Sequence, residues 1–162
     1  MKRMALFLII VLLSFPGCSQ SVSQQQNILI GKKAPDFALP NLGGQKVSMS
    51  QYRAGKSAII FFWATWCPNC HEQLIKLNKE VGILKTKEIQ VILVNVQEDA
   101  KTVSSHVKQY HIPYEVFLDE ESSVAETYNV VGIPTIYFLG KDGVIKSMEH
   151  YLPSDYLDRL TK

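Results

Sequence analysis

The chain has 162 residues, 46% of them hydrophobic and 20% charged. That is enough for one domain with a real core, and the balance excludes a disordered or fibrous chain. With 17 basic and 15 acidic side chains, nothing marks a nucleic-acid surface, whose footprint is a clustered excess of Lys and Arg.

Lys2 and Arg3 precede an unbroken apolar run over residues 4–13. A membrane-spanning helix needs about 20 such residues. A shorter run behind a basic start reads as an export signal over residues 1–17. Its end, Gly17-Cys18, resembles a bacterial lipoprotein signal, which implies that Cys18 is lipidated and becomes the mature N-terminus. Phe15 and Pro16 depart from that pattern, and the alternatives are a signal cut elsewhere or an uncleaved anchor. Loss of residues 1–17 leaves 15 basic against 15 acidic side chains. Residues 18–29 are polar and glutamine-rich and read as a tether. The folded domain is expected over residues 30–162.

Phe37-Ala38-Leu39 and Lys46-Val47-Ser48 flank Asn41-Leu42-Gly43-Gly44 and predict a hairpin. A short helical turn is expected over 49–52. Ala58–Trp63 is wholly apolar and predicts a buried strand. A helix starts at the following cysteines, with Leu74, Leu77, Val81 and Leu84 at helical spacing, and Gly82 weakens its second half. Residues 89–96 form the most apolar strand, β-branched enough for a sheet centre. Ala100, Val103, Val107 and Tyr110 mark an amphipathic helix. A strand at 114–118 and a short helix at 124–128 come next. Strands at 135–139 and 144–150 flank a turn at Gly140-Lys141-Asp142-Gly143, and 153–160 reads as a closing helix with Pro153 in its first turn. The order predicts an α/β fold: a mixed sheet flanked by helices on both faces, with an N-terminal hairpin extension.

The chemistry is concentrated in Trp66-Cys67-Pro68-Asn69-Cys70. The pair lies at the tip of a strand and in the first turn of a helix. Unpaired backbone N–H groups and the positive end of the helix dipole there favour thiolate, the nucleophile of disulfide exchange. Residues three apart on a helix share a face, so the sulfurs come together with modest adjustment. Closing a loop of two intervening residues removes little chain entropy, so a bridge there is chemistry rather than a staple. Cys67, at the exposed helix start, is the expected nucleophile, and Cys70, one turn in, the resolving thiol. Pro68 suits a first turn, and Asn69 has an amide to offer the Cys67 sulfur.

The WCxxC run after an apolar strand, with Gly132-Ile133-Pro134-Thr135 before another, resembles the thioredoxin fold. Ala34-Pro35-Asp36-Phe37 and the export signal are similar to its exported branch, the membrane-tethered TlpA/ResA-type thiol-disulfide oxidoreductases. The resemblance covers about residue 30 to the C-terminus. It implies a cis bond before Pro134, Ile133 backbone that pairs with an extended substrate segment, and Trp66 as an exposed platform for partners. It further implies disulfide-containing protein substrates, apocytochrome c among them, and electrons from a membrane thiol transporter. The expected protein is monomeric, lipid-anchored in a bacterial cell envelope on the extracytoplasmic side, and acts as a reductant.

The chain departs from that pattern in two places. Phe61 stands where thioredoxins carry a buried acid, and Gln73, beside Glu72, where many TlpA/ResA-type proteins carry Glu. A proton acceptor is still needed when Cys70 attacks, and Glu98, after the strand ending at Val96, is the candidate; the alternative is a solvated loop carboxylate. Trp63 is expected in the core. No cofactor motif is present. His71, His106, His111 and His150 are scattered and supply no second paired cluster for zinc with Cys67 and Cys70. Two other functions compete: a peroxiredoxin-like peroxidase, which shares the APDF start but not the spacing around the cysteine, and a copper chaperone, which usually carries CxxxC.

Overall fold

The computed structural model describes residues 28–160. Cys18, the expected signal over 1–17 and most of the expected tether lie outside them. The first elements are an antiparallel hairpin of β1 (Ala38–Pro40) and β2 (Lys46–Ser48), then α1 (Met49–Arg53). Ser48 caps α1, accepting from the Gln51 N–H while the Gln51 side chain reaches back to the Ser48 N–H.

Six residues without an exposed member form β3 (Ala58–Trp63). It leads into α2 (Pro68–Lys79) and α3 (Val81–Thr86), and then β4 (Gln90–Val96). Helix α4 (Ala100–Gln109), β5 (Glu115–Asp119) and α5 (Ser123–Thr127) follow, and β6 (Thr135–Leu139), β7 (Ile145–Glu149) and α6 (Tyr156–Arg159) complete the fold. The sheet order is β5-β4-β3-β6-β7. Strands β3, β4 and β5 run parallel, while β6 is antiparallel to β3 and β7 to β6. This is the mixed sheet with helical crossovers that the order of elements predicts.

Alternation along the strands sorts the core into two layers. Ile59, Phe61 and Trp63 face one layer with Cys70, Leu74 and Leu77 of α2, Val103 of α4 and Tyr156 of α6. Ala58, Ile60 and Phe62 face the other, with Met49 of α1, Ala125 of α5, Tyr128 and Tyr137. The N-terminal segment belongs to the second layer, where Phe37 packs edge-on against Phe117 and Tyr128. The same segment touches both rims of the sheet. Lys33 bridges to Val144 before β7, and Asn41 bridges to Phe117 of β5.

Two expectations change. The single helix expected through Leu84 breaks at Glu80, which has φ −90° and ψ 0°. The Tyr114 hydroxyl donates to the Leu77 carbonyl at 2.6 Å and the Glu80 N–H takes the same oxygen at 3.0 Å. A side chain entering the ladder in this way bends or ends a helix. The closing helix shortens to Tyr156–Arg159, with residues 153–155 in a turn closed by the Tyr156 N–H on the Pro153 carbonyl.

Candidate active site

The end of β3 delivers Cys67 to the N-cap of α2, in extended backbone with φ −92° and ψ 105°. Its sulfur accepts the Cys70 N–H at 3.1 Å, the place a capping oxygen ordinarily takes. Pro68 follows in the first turn, where a missing N–H costs nothing. Cys70, Gln73, Leu74 and Leu77 are the buried residues of α2, spaced to hold the helix on the sheet. Cys67 and Cys70 are disulfide-bonded, with Cα atoms 5.2 Å apart.

The sulfur is better covered than its place at the helix start suggests: Cys67 is 5% exposed and Cys70 0%. Cover comes from the loop before β6. The Ile133–Pro134 bond is cis, and the Ile133 carbonyl oxygen lies 3.9 Å from Cys67 Sγ. Trp66 stands out beside this closed site at 68% exposed. A groove of about 270 Å³ runs from Trp66 and Ile133 past Val131 to Ala125 and Glu126 of α5. The structure thus brings Trp66, Cys67, Cys70, Ile133 and Pro134 together. Asn69 is exposed, and the backbone of Cys70 takes the place expected for its amide.

Glu98 reaches the same loop from the other side. Gln97, with φ 62°, turns the chain just after β4. Glu98 then accepts the Thr65 N–H at 2.7 Å, the Asn95 Nδ2–H at 2.7 Å and the Thr65 hydroxyl. Both carboxylate oxygens are therefore engaged in holding the turn that presents Trp66 and Cys67. Phe61, in place of an acid, is fully buried in the apolar layer with Cys70.

Two of the four histidines meet in space. His71 of α2 and His106 of α4 meet edge to face at 5.9 Å, and Tyr110 lies 4.2 Å from the first ring and 4.5 Å from the second. His106 also packs on Trp63 at 5.4 Å, and its Nε2 is buried with no hydrogen-bond partner among the described residues. Burial first, and the neighbouring His71 second, push the His106 pKa below its ordinary value, with Glu98 opposing. His150 contacts the loop around Pro134. Helical periodicity marks Tyr110 at the end of α4, but the meeting of His71 with His106 and of His150 with Pro134 joins distant segments and has no local signal.

Two outcomes follow from these contacts. Glu98→Ala strands the Thr65 N–H and the Asn95 amide, and is expected to cost about 1.5–3 kcal/mol of stability by denaturant midpoint; Glu98→Gln, which keeps an acceptor, recovers part of it. His106 binds its proton less well folded than unfolded. Its contribution to stability is therefore complete above about pH 6.5 and declines as pH falls below that value, where the unfolded chain takes the proton first. His106→Phe, which keeps a ring against Trp63 and Tyr110, is expected to flatten that decline in urea titrations from pH 7.5 to 5.

Residues 30–148 match the AhpC/TSA family. The chain is 29% identical to the thiol-disulfide oxidoreductase ResA of Bacillus cereus, over 99% of this chain and 96% of that protein. It is 32% identical to the thioredoxin-like protein YneN of Bacillus subtilis, over 91% and 88%. A Chlorobium tepidum structure, assigned as a DsbE thiol:disulfide interchange protein, has a TM-score of 0.72 at 28% identity, covering 82% of this chain and 94% of that one. The thioredoxin domain of a Bacteroides vulgatus oxidoreductase shares the fold, with a TM-score of 0.70 at 24% identity over 79% and 91%. The chain belongs to the AhpC/TSA family and is a thiol-disulfide oxidoreductase of thioredoxin fold.

Proposed function

We propose that this protein is an extracytoplasmic reductant of protein disulfides, lipid-anchored through Cys18 and monomeric, with apocytochrome c among its substrates. The carrying observation is the Cys67 sulfur, which accepts a backbone N–H at a helix start beside the Ile133 carbonyl. That donor and the helix dipole stabilise sulfur as an anion. In the reduced enzyme the Cys67 thiolate attacks one sulfur of the partner's cystine. A mixed disulfide forms and the partner's other sulfur leaves as thiolate, to be protonated. Cys70 then loses its proton and attacks Cys67 Sγ, which releases the partner's second thiolate and closes the Cys67–Cys70 bridge. Two electrons pass from the enzyme dithiol to the partner, and a membrane thiol transporter restores the dithiol. Glu98, bonded to Thr65 two residues before Cys67, is assigned the proton that Cys70 gives up.

The groove beside Trp66 and Ile133 supports a polypeptide partner. An extended segment laid against Ile133 pairs backbone to backbone while its side chains enter the groove. The apolar run behind Lys2 and Arg3 and the Gly17-Cys18 end support the compartment, and the likeness to ResA supports thiol-disulfide exchange as the activity.

The test is capture. Cys70→Ala is expected to accumulate a mixed disulfide on Cys67 with an exported protein, released by dithiothreitol, and Cys67→Ala to capture none. Equal capture by both variants removes the assigned roles. For direction, the redox equilibrium with glutathione is expected to place the Cys67–Cys70 couple nearer about −270 mV than about −120 mV; a value at the oxidising end overturns the reductant.

A further inference from the structure

The segment leaving β7 connects the two walls of the site. His150 Nδ1 lies 2.8 Å from the Pro134 carbonyl oxygen. A carbonyl only accepts, so Nδ1 carries the hydrogen. The same N–H lies 3.4 Å from the Thr135 hydroxyl oxygen, which donates its own hydrogen to the Gly132 carbonyl at 2.6 Å. Two residues later the Leu152 N–H donates to Gln73 Oε1 at 2.9 Å. Gln73 is 6% exposed and sits on the buried face of α2, one turn beyond Cys70. Residues 150–152 therefore span from the loop that carries the Ile133 carbonyl to the helix that carries both cysteines.

We propose that His150 and Gln73 are positioning residues which, through residues 150–152, fix the Ile133–Pro134 edge relative to the cysteine pair it covers. This rests on the reading that protein disulfides are the substrates. Neither side chain donates or takes anything in the exchange itself. A polypeptide must fit its backbone against Ile133 while its sulfur lines up with Cys67, so a drifting wall weakens docking. A small disulfide that ignores Ile133 has no such requirement. The His150 bond uses a hydrogen that Nδ1 keeps when the ring is protonated, so the pin holds in either charge state.

The experiment compares two oxidants of the full-length enzyme: a peptide with an internal cystine, turned over by a thiol donor, and the small aromatic disulfide dithiobis-nitrobenzoate, reduced in a single turnover by enzyme freed of donor, since thiols reduce it directly. His150→Leu and Gln73→Leu are each expected to raise KM for the peptide by roughly three- to tenfold, the worth of one hydrogen bond. Peptide kcat and the rate with the small disulfide stay within twofold. His150→Asn, whose amide nitrogen takes the place of Nδ1, and Gln73→Glu, which keeps an acceptor, are expected to restore KM. If His150→Leu does not fold, His150→Gln, with its donor displaced to the position of Nε2, carries the same expectation. An unchanged peptide KM in the Leu variants, or equal losses with both oxidants and no rescue, overturns the proposal. A wild-type enzyme that exchanges with the small disulfide and not with the peptide instead overturns the substrate reading beneath it.

Discussion

The contact from the Cys70 N–H to the Cys67 sulfur is the constraint around which the rest of the site is arranged. A helix start leaves backbone N–H groups without partners, and proteins usually give them an oxygen. Here the acceptor is the sulfur to which we assign the nucleophile's role, so the group that caps the helix and the group proposed to do the chemistry are one. Such an acceptor works only if the backbone on both sides of it cannot drift. Upstream, β3 is buried along its whole length, and Thr65 is tied to Glu98. Downstream, Leu74 and Leu77 hold α2 against the sheet. The site's geometry is thus a property of the core, delivered to the surface by one turn.

The surroundings of the two sulfurs differ in kind. Both sulfurs border the apolar layer of Phe61 and Trp63, where an unpaired charge is costly, and what separates them is their polar contacts. Cys67 Sγ accepts a backbone N–H at 3.1 Å at the positive end of α2, which outweighs the opposing Ile133 carbonyl oxygen standing farther off at 3.9 Å. Negative charge is therefore easier to hold on the first sulfur than on the second. That asymmetry matches the expected division of labour, and those contacts supply it without an ionised neighbour at position 61.

Much of this was legible in the chain because it is written locally. The apolar run of β3, the β-branched run of β4 and the turn at Gly140–Gly143 each carry their own period or punctuation, and the WCxxC and GIPT motifs marked the site. What stayed hidden depends on which segments the topology brings together. His71 and His106 meet only because α4 returns across the same sheet face as α2. Glu98 stood out as a carboxylate at a strand end, but its hold on Thr65 needs the turn at Gln97. The break at Glu80 comes from a tyrosine more than thirty residues away. The cover over Cys67 likewise comes from the distant Ile133 loop and has no signature near the cysteine.

The N-terminal segment, which meets β7 at one rim through Lys33 and β5 at the other through Asn41, has a consequence for how the molecule is made. Synthesis proceeds from the N-terminus, yet the partner of Lys33 is among the last stretches to be assembled. Residues 33–41 leave the ribosome before either anchor has been made, and their bridges can close only after both exist. Until then the rims they cover stay open to unwanted strand pairing, a hazard that ends only when this belt is fastened.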